Sequence, residues 1–226
     1  MSSISGQPVR AFARVDRLLR GDDRAEQRPR IADILAILIV AGCWYGTVMG
    51  TYSGIGLTHW RQMFYSAAKV PLLLSATFWL SVPSFYVLNS LLGLRPDFGR
   101  AIAAVIGAQA VLTVILAALA PFTEFFYVSG CNYDDAILFN GFMFAIASAG
   151  GQVVLWRSYR PLIARDRRHR WTLRAWLAIY VFVGIQMGWT LRPFVGNPSL
   201  PTRFLRSEAL TNAYVSVAHI ILDGLR

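Results

Sequence analysis

The residue types that do chemistry are scarce in this chain and poorly grouped for it. His59, His169 and His219 stand far apart in separate loops or ends, and none belongs to a metal-ligand spacing. There is no P-loop, no serine elbow and no carboxylate pair inside an apolar run. Glu124, Asp134 and Asp135 share one gap between apolar stretches, where they could bind a cation or assist hydrolysis. Adjacent carboxylates at a helix start are more simply partners of the helix dipole. His169, inside the run RDRRHR, reads as part of a solvated, lipid-facing basic loop. No catalytic residue, metal ligand or cofactor is therefore assigned. The most specific run is QMGWTLRPFVGNP at 186–198, with Arg192 between Trp189 and Phe194 and followed by Pro193. An arginine among aromatics at a membrane boundary suits a phosphate headgroup or a carboxylate on a partner. The simpler alternative is an interfacial arginine snorkelling to water.

These residues are punctuation in a chain made of apolar runs. Residues 34–60, 70–94, 101–123, 136–156 and 175–191 carry no Asp, Glu, Lys or Arg. A hydrocarbon core of about 30 Å needs roughly 20 helical residues, so each run is near spanning length, the last only just. A hydrophobic content of 55% and a mean hydropathy of +0.46 exclude an ordinary soluble domain. The fold class expected is an all-α membrane protein. It comprises five transmembrane helices with N-terminal and C-terminal amphipathic segments. The divisions are a basic cytoplasmic tail at 1–30, a five-helix domain at 31–206 and an extracytoplasmic amphipathic helix at 207–226.

The net charge of +10 is concentrated beside the apolar runs. Seven arginines lie in residues 1–30 and seven in 157–174, whereas 124–135 holds no Lys or Arg. This favours a cytoplasmic N-terminus and an extracytoplasmic C-terminus. The same distribution lacks the readable soluble basic face of a nucleic-acid binder, so no nucleic-acid partner is expected. The tail is too long before its first apolar run for a cleavable signal and reads as a signal anchor. Val9, Phe12, Val15 and Leu19 fall on one half of a helix and Arg10, Arg14, Arg17 and Arg20 on the other. The tail is thus either a surface-lying amphipathic helix or a disordered basic segment. Segment 209–222 has 14 uncharged residues, short of a span. Cys43, within the first span, and Cys131, in an outer turn, are not expected to pair.

Gly46, Gly50 and Gly54 recur at intervals of four in the first span, and Gly141, Ala145 and Ala149 do so in the fourth. Such columns let helix backbones approach closely, and packing within the chain is the preferred use of the first. The segment 58–69 mixes Trp, Tyr, Phe, Arg and Lys and reads as interfacial. Pro83 should kink the second span, with Ser81 and Ser84 near the freed carbonyls. Pro121 should close the third, and RSYRPLIARDRRHR should form the loop after the fourth. Asn89, Gln109 and Gln186 are neutral amides at membrane depth that bond between helices or line a polar path.

Five spans in about 170 residues with an outward C-terminus resemble the Yip1-type polytopic proteins in architecture. The runs LSVPSFYVLNSLLGLR at 80–95 and GWTLRPFVGNP at 188–198 are similar to those of uncharacterised bacterial inner-membrane proteins. Neither resemblance implies an activity or a site residue. The expected function is that of a non-enzymatic accessory or scaffold subunit of a membrane assembly. Its partners are membrane lipids, including those with anionic headgroups, and a membrane-protein partner or a second copy. The alternatives are a transporter or lipid-handling protein with a path between spans 2, 3 and 5, and a lipid-headgroup enzyme using the outer acids with Arg192.

Overall fold

Backbone amides in hydrocarbon must be paired internally, and an α-helix does this without help from its neighbours. The apolar runs accordingly fold as helices. The structure, a computed structural model, describes residues 31–54, 60–196 and 202–205, with no strand among them. The helices are α1 (Ile31–Thr51), α2 (Trp60–Leu91), α3 (Phe98–Val128), α4 (Tyr133–Arg165) and α5 (His169–Leu191), with a 3-10 turn at Arg95–Asp97. The tail 1–30 and the C-terminal segment 207–226 lie outside the described residues.

Four helices, α1 to α4, are long and apolar enough to cross a membrane by length and composition. The fifth expected span, 172–195, coincides largely with α5, which is not among those four. Arg170 and Arg174 at its start, then Gln186 and Thr190, dilute its apolar run.

Three expected boundaries are corrected. α2 begins at Trp60, so the interfacial segment 58–69 supplies the first turns of a 32-residue helix. α3 runs through Pro121 to Val128, and α4 runs through Pro161 to Arg165. Both prolines are exposed, so the carbonyls that lose their N–H partners lie at the bundle surface. What read as a loop after the fourth span is therefore mostly helix, and the turn is only residues 166–168. Beside Pro83, the Ser81 hydroxyl donates to the Thr77 carbonyl at 2.7 Å.

The helix ends follow local chemistry. After α2, Leu94 N donates to Asn89 O at 2.8 Å and Gly93 N to Ser90 O at 3.1 Å. With Gly93 at φ +73° these bonds form a Schellman cap. Asn132 caps α4 by accepting from Asp135 N at 2.8 Å, and Asp134 and Asp135 occupy the first turn where the dipole favours them.

α1 packs between α2 and α3, α4 lies on α3, and α5 lies on α2. One apolar cluster joins α1 to α4 around Tyr45, Leu74, Leu116 and Ala147. A second joins α2, α3, α4 and α5 around Phe85, Val105, Tyr159 and Trp176. The glycine column of α1 makes the first cluster possible. A Cβ at Gly46 would fall 2.8 Å from Ala67 Cα, and one at Gly50 would fall 2.5 Å from Met63 Cα. Gly54 lies past the helix, at φ +114° in the turn. On α4 the contacts come from a different set: a Cβ on Gly151 would lie 3.1 Å from Ala108 O. Gly141, Ala145 and Ala149 face outward.

Gly46→Ala should therefore cost about 1–3 kcal/mol through overpacking against α2 backbone. Gly141→Ala, with nothing within 4 Å of its Cβ position, should leave stability unchanged or raise it. Thermal unfolding of the purified protein in one detergent compares the two; equal losses would contradict the packing described.

Candidate functional site

The first half of α2 carries Gln62, Ser66 and Lys69 at i, i+4 and i+7, hence on one helical face. All three are buried, with Lys69 at 0% exposure. The opposite face, with Trp60, Arg61 and Phe64, is exposed. A fully buried lysine is costly unless its charge is met by acceptors. Here it meets the segment that follows α5. The Lys69 ammonium donates to the Pro193 carbonyl, and the Ser66 hydroxyl donates to the Phe194 carbonyl. Gln62 Nε2 donates to Ser66 Oγ at 3.1 Å and reaches Phe194 O at 3.5 Å. Tyr133 OH, from α4, donates to Val195 O at 3.4 Å. Lys69 Nζ also lies 5.1 Å from the centroid of the Phe204 ring. The non-helical run 192–196 is thus held by side chains of α2 and α4. Gly196 fits this seam because a Cβ there would fall 2.6 Å from Gln62 Cγ.

The held segment forms one wall of a pocket of about 470 Å³. Met49 of α1, Leu73 of α2, Ile137, Gly141 and Phe144 of α4, and Ile185 and Gly188 of α5 supply its apolar lining. Trp189, Arg192, Pro193 and Phe194 also line it, with Tyr133, Asn140 and Val195. The Arg192 guanidinium carbon stands 3.4 Å from the Trp189 ring centroid, a stacked cation–π contact. α4 and α5 meet in the second cluster, through Leu155, Tyr159, Leu173 and Trp176, and diverge toward the pocket. Ile137 and Ile185, on its two flanks, are 44% and 51% exposed, so the pocket opens sideways between α4 and α5.

The structure brings Trp189, Arg192 and Phe194 together around this pocket and adds Gly141. It does not bring the acids there. Glu124 Oε2 accepts from Thr51 Oγ1 at 2.6 Å, and Asp134 and Asp135 are exposed at the α4 start. The amides of the expected polar path do not line it either. Gln109 Nε2 donates to Tyr180 OH at 2.7 Å and reaches Leu74 O at 3.4 Å, which ties α3 to α5 and α2. Asn89 Nδ2 donates to Phe85 O at 2.8 Å, and Gln186 is half-buried in α5. Asn140 does line the pocket, yet its amide accepts from Tyr45 OH at 3.0 Å and donates to Tyr127 OH and Ala136 O.

His169 is a clear correction. It is fully buried, 3.4 Å from Asp97 Oδ2, and not a solvated loop residue. Asp97 Oδ1 also accepts from Arg100 and Arg165 at 3.1 Å each, so one carboxylate joins the α2–α3 and α4–α5 turns. Sequence reasoning missed Gln62, Ser66 and Lys69 as well. Their helical spacing, and the status of Lys69 as the chain's single lysine, were the available signals. Among the described residues no three His, Cys, Asp or Glu side chains gather as a metal site.

The outer turn holds two titratable groups close together. Burial, and to a lesser degree the Asp135 charge, raise the Cys131 thiol above its ordinary value, offset in part by a backbone hydrogen bond. Burial likewise raises Tyr52, whose hydroxyl donates to Cys131 O at 3.3 Å. A raised thiol has less thiolate near neutrality. In a Cys43→Ser background, maleimide should label Cys131 slowly at neutral pH and faster as pH rises, with Asp135→Asn shifting the profile toward lower pH. An unchanged profile in that variant would remove Asp135 as a cause.

Removing the clamp should also be measurable. Lys69→Met leaves the Pro193 carbonyl without its donor and should cost about 1–3 kcal/mol. Ser66→Ala should act similarly, and the double variant should fall short of the sum because both hold one segment. Denaturant unfolding of the four proteins gives the coupling, and strict additivity would argue against a shared clamp.

No protein-family model matches this chain, and no curated protein and no solved structure is significantly similar to it.

Proposed function

We propose that this chain is a non-enzymatic multi-pass membrane protein that binds an amphiphile, a lipid or lipid-like molecule, between α1, α4 and α5. The observation that carries this reading is the pocket of about 470 Å³ whose apolar wall ends at the stacked Arg192–Trp189 pair. Its volume lies in the range of small-molecule sites, roughly 300–1,000 Å³. Apolar walls take up a hydrocarbon chain, and a guanidinium at the rim favours an anionic head through paired donors. The sideways opening suits a ligand that arrives from the bilayer. The outer acids lie away from the lining, which leaves the headgroup-enzyme alternative without converging groups.

In this reading α5 is a fifth span, the N-terminus is cytoplasmic and the C-terminus extracytoplasmic, in a bacterial inner membrane. The arginine-loaded tail and 157–174 stretch, set against the arginine-free 124–135 gap, support that orientation. A second reading, the accessory or scaffold subunit, draws on the outward column Gly141, Ala145 and Ala149, which is open to a helix of a partner or second copy.

Gly141 and Gly188 both line the pocket, and neither has an atom within 4 Å of its Cβ position. Gly188→Leu and Gly141→Leu should therefore fill the pocket without clashing with a backbone. Mass spectrometry of lipids retained by the full chain after gentle detergent purification is the measurement. The filled variants should retain less of a species the native protein carries, and Arg192→Ala should lose anionic species selectively. Identical lipid profiles in all four proteins would sink the amphiphile reading. A change of oligomeric state in Gly141→Leu alone would instead favour the scaffold reading.

A further inference from the structure

The two helices at the arginine-rich end present their arginines in opposite senses. Helical side chains lean toward the N-terminus of their own helix. α4 runs toward this end of the bundle, so its arginines lean back along the apolar body. α5 runs away from it, so its arginines lean outward. The side chains follow this rule. The Arg160 guanidinium carbon sits 4.5 Å from the centroid of the Trp156 ring, one turn back along α4. Arg174 stacks 5.3 Å from Trp171, one turn toward the bundle end.

Asp97, with Arg165 and His169 beside it, marks a level across the bundle end. On the neighbouring helices, charge-free sequence comes within a few residues of that level, through 94 just past the end of α2 and from 101 on α3. Arg160 precedes Arg165 on α4, which puts its Cα about 7.5 Å further in at 1.5 Å per residue, and Trp156 about 6 Å beyond that. Arg160 and Trp156 are both exposed on the outer face of the bundle, with Trp156 at 53% and Val153 below it at 51%. With the apolar runs of α2 and α3 in the bilayer, a guanidinium folded inward from this level lies toward the headgroup layer and the lipid below it. It keeps its charge at any working pH, so an anionic headgroup oxygen is a favourable partner for it. The local charge selects the kind of anion: residues 157–174 hold seven arginines against one acid, Asp166.

We propose that Arg160 and Trp156 form a headgroup site for an anionic glycerophospholipid of the adjacent leaflet. The guanidinium donates to the phosphate oxygens as a fork, the indole supports the guanidinium from its other face, and the acyl chains lie along α4 past Val153. Arg174, which already leans outward, is not part of the site. This inference goes beyond the pocket reading and stands without it, because the two sites share no residue.

The test uses the full chain in zwitterionic detergent, titrated with phosphatidylglycerol or phosphatidylcholine and followed by native mass spectrometry. The native protein should hold phosphatidylglycerol in preference to phosphatidylcholine. Arg160→Ala should weaken phosphatidylglycerol binding about tenfold, the scale of one charge-assisted hydrogen-bonded contact. Arg160→Lys should restore only part of it, because the ammonium lacks the fork. Arg174→Ala, which removes the same charge nearby, should leave binding within about twofold of native, well short of the loss expected for a direct contact. Equal losses at Arg160 and Arg174 would mean a diffuse field and no site. Equal binding of the two lipids, or displacement of the lipid by millimolar inorganic phosphate, would likewise overturn the proposal. All variants lie on exposed positions, and retention of the native oligomeric mass checks that each is folded.

Discussion

A chain that leaves a helix while still packed inside a membrane bundle exposes carbonyls that have no partner of their own. Residues 192–196 do this, and the structure meets the demand with donors from α2: Lys69 for Pro193, and Ser66 with Gln62 for Phe194. The arrangement answers two problems at once, because a buried ammonium also needs acceptors. It further requires one face of the first half of α2 to be buried against α1 and the 192–196 segment. Gly46 and Gly50 permit that burial by letting the α1 backbone rest directly on α2. The glycine column, the lone lysine and the irregular segment are thus parts of one packing solution.

The opposite end is organised by a single carboxylate. Asp97 gathers Arg100, Arg165 and His169, which belong to α3, the end of α4 and the start of α5. Arg168 Nη1 adds a bond to Leu92 O at 3.3 Å, so both turns at this end are tied together. The cluster of Phe85, Tyr159 and Trp176 packs beneath them. α4 and α5 are therefore joined at one end and held apart at the other, where the 192–196 segment is drawn to α2. The pocket lies between these two fastenings, lined by α4, α5 and the 192–196 segment.

The polar groups between the helices divide into two kinds. Asn140, Tyr45, Tyr127 and Thr123 bond to one another across α1, α3 and α4, and Gln109 with Tyr180 bonds across α3 and α5. These contacts fix helix positions and commit Asn140 and Gln109 to neighbouring helices. Arg192 stacks on Trp189 in the wall of a mostly apolar cavity. The first kind accounts for architecture, and the second is the basis of the proposed amphiphile site.

Composition and the charge-free runs were enough to determine an all-helical chain suited to a membrane, because spanning length and apolar content are local properties. The approach of α1 to a neighbour was legible for a similar reason, since glycine at every fourth residue has few other uses in lipid. The grouping of Trp189, Arg192 and Phe194 was visible because those residues are adjacent in the chain. The tertiary structure decided what depends on distant partners. It buried His169, which its arginine-rich neighbourhood had marked as solvated, since Asp97 comes from a turn some seventy residues earlier. It left Gly141, Ala145 and Ala149 of α4 exposed, with Gly141 in the pocket lining, and extended α3 and α4 through prolines whose unpaired carbonyls could lie at the surface. It made Lys69 a clamp and not an interfacial charge. The cause in each case is that burial, unlike helix formation, is set by which segments meet, and one sequence read in order does not contain that pairing.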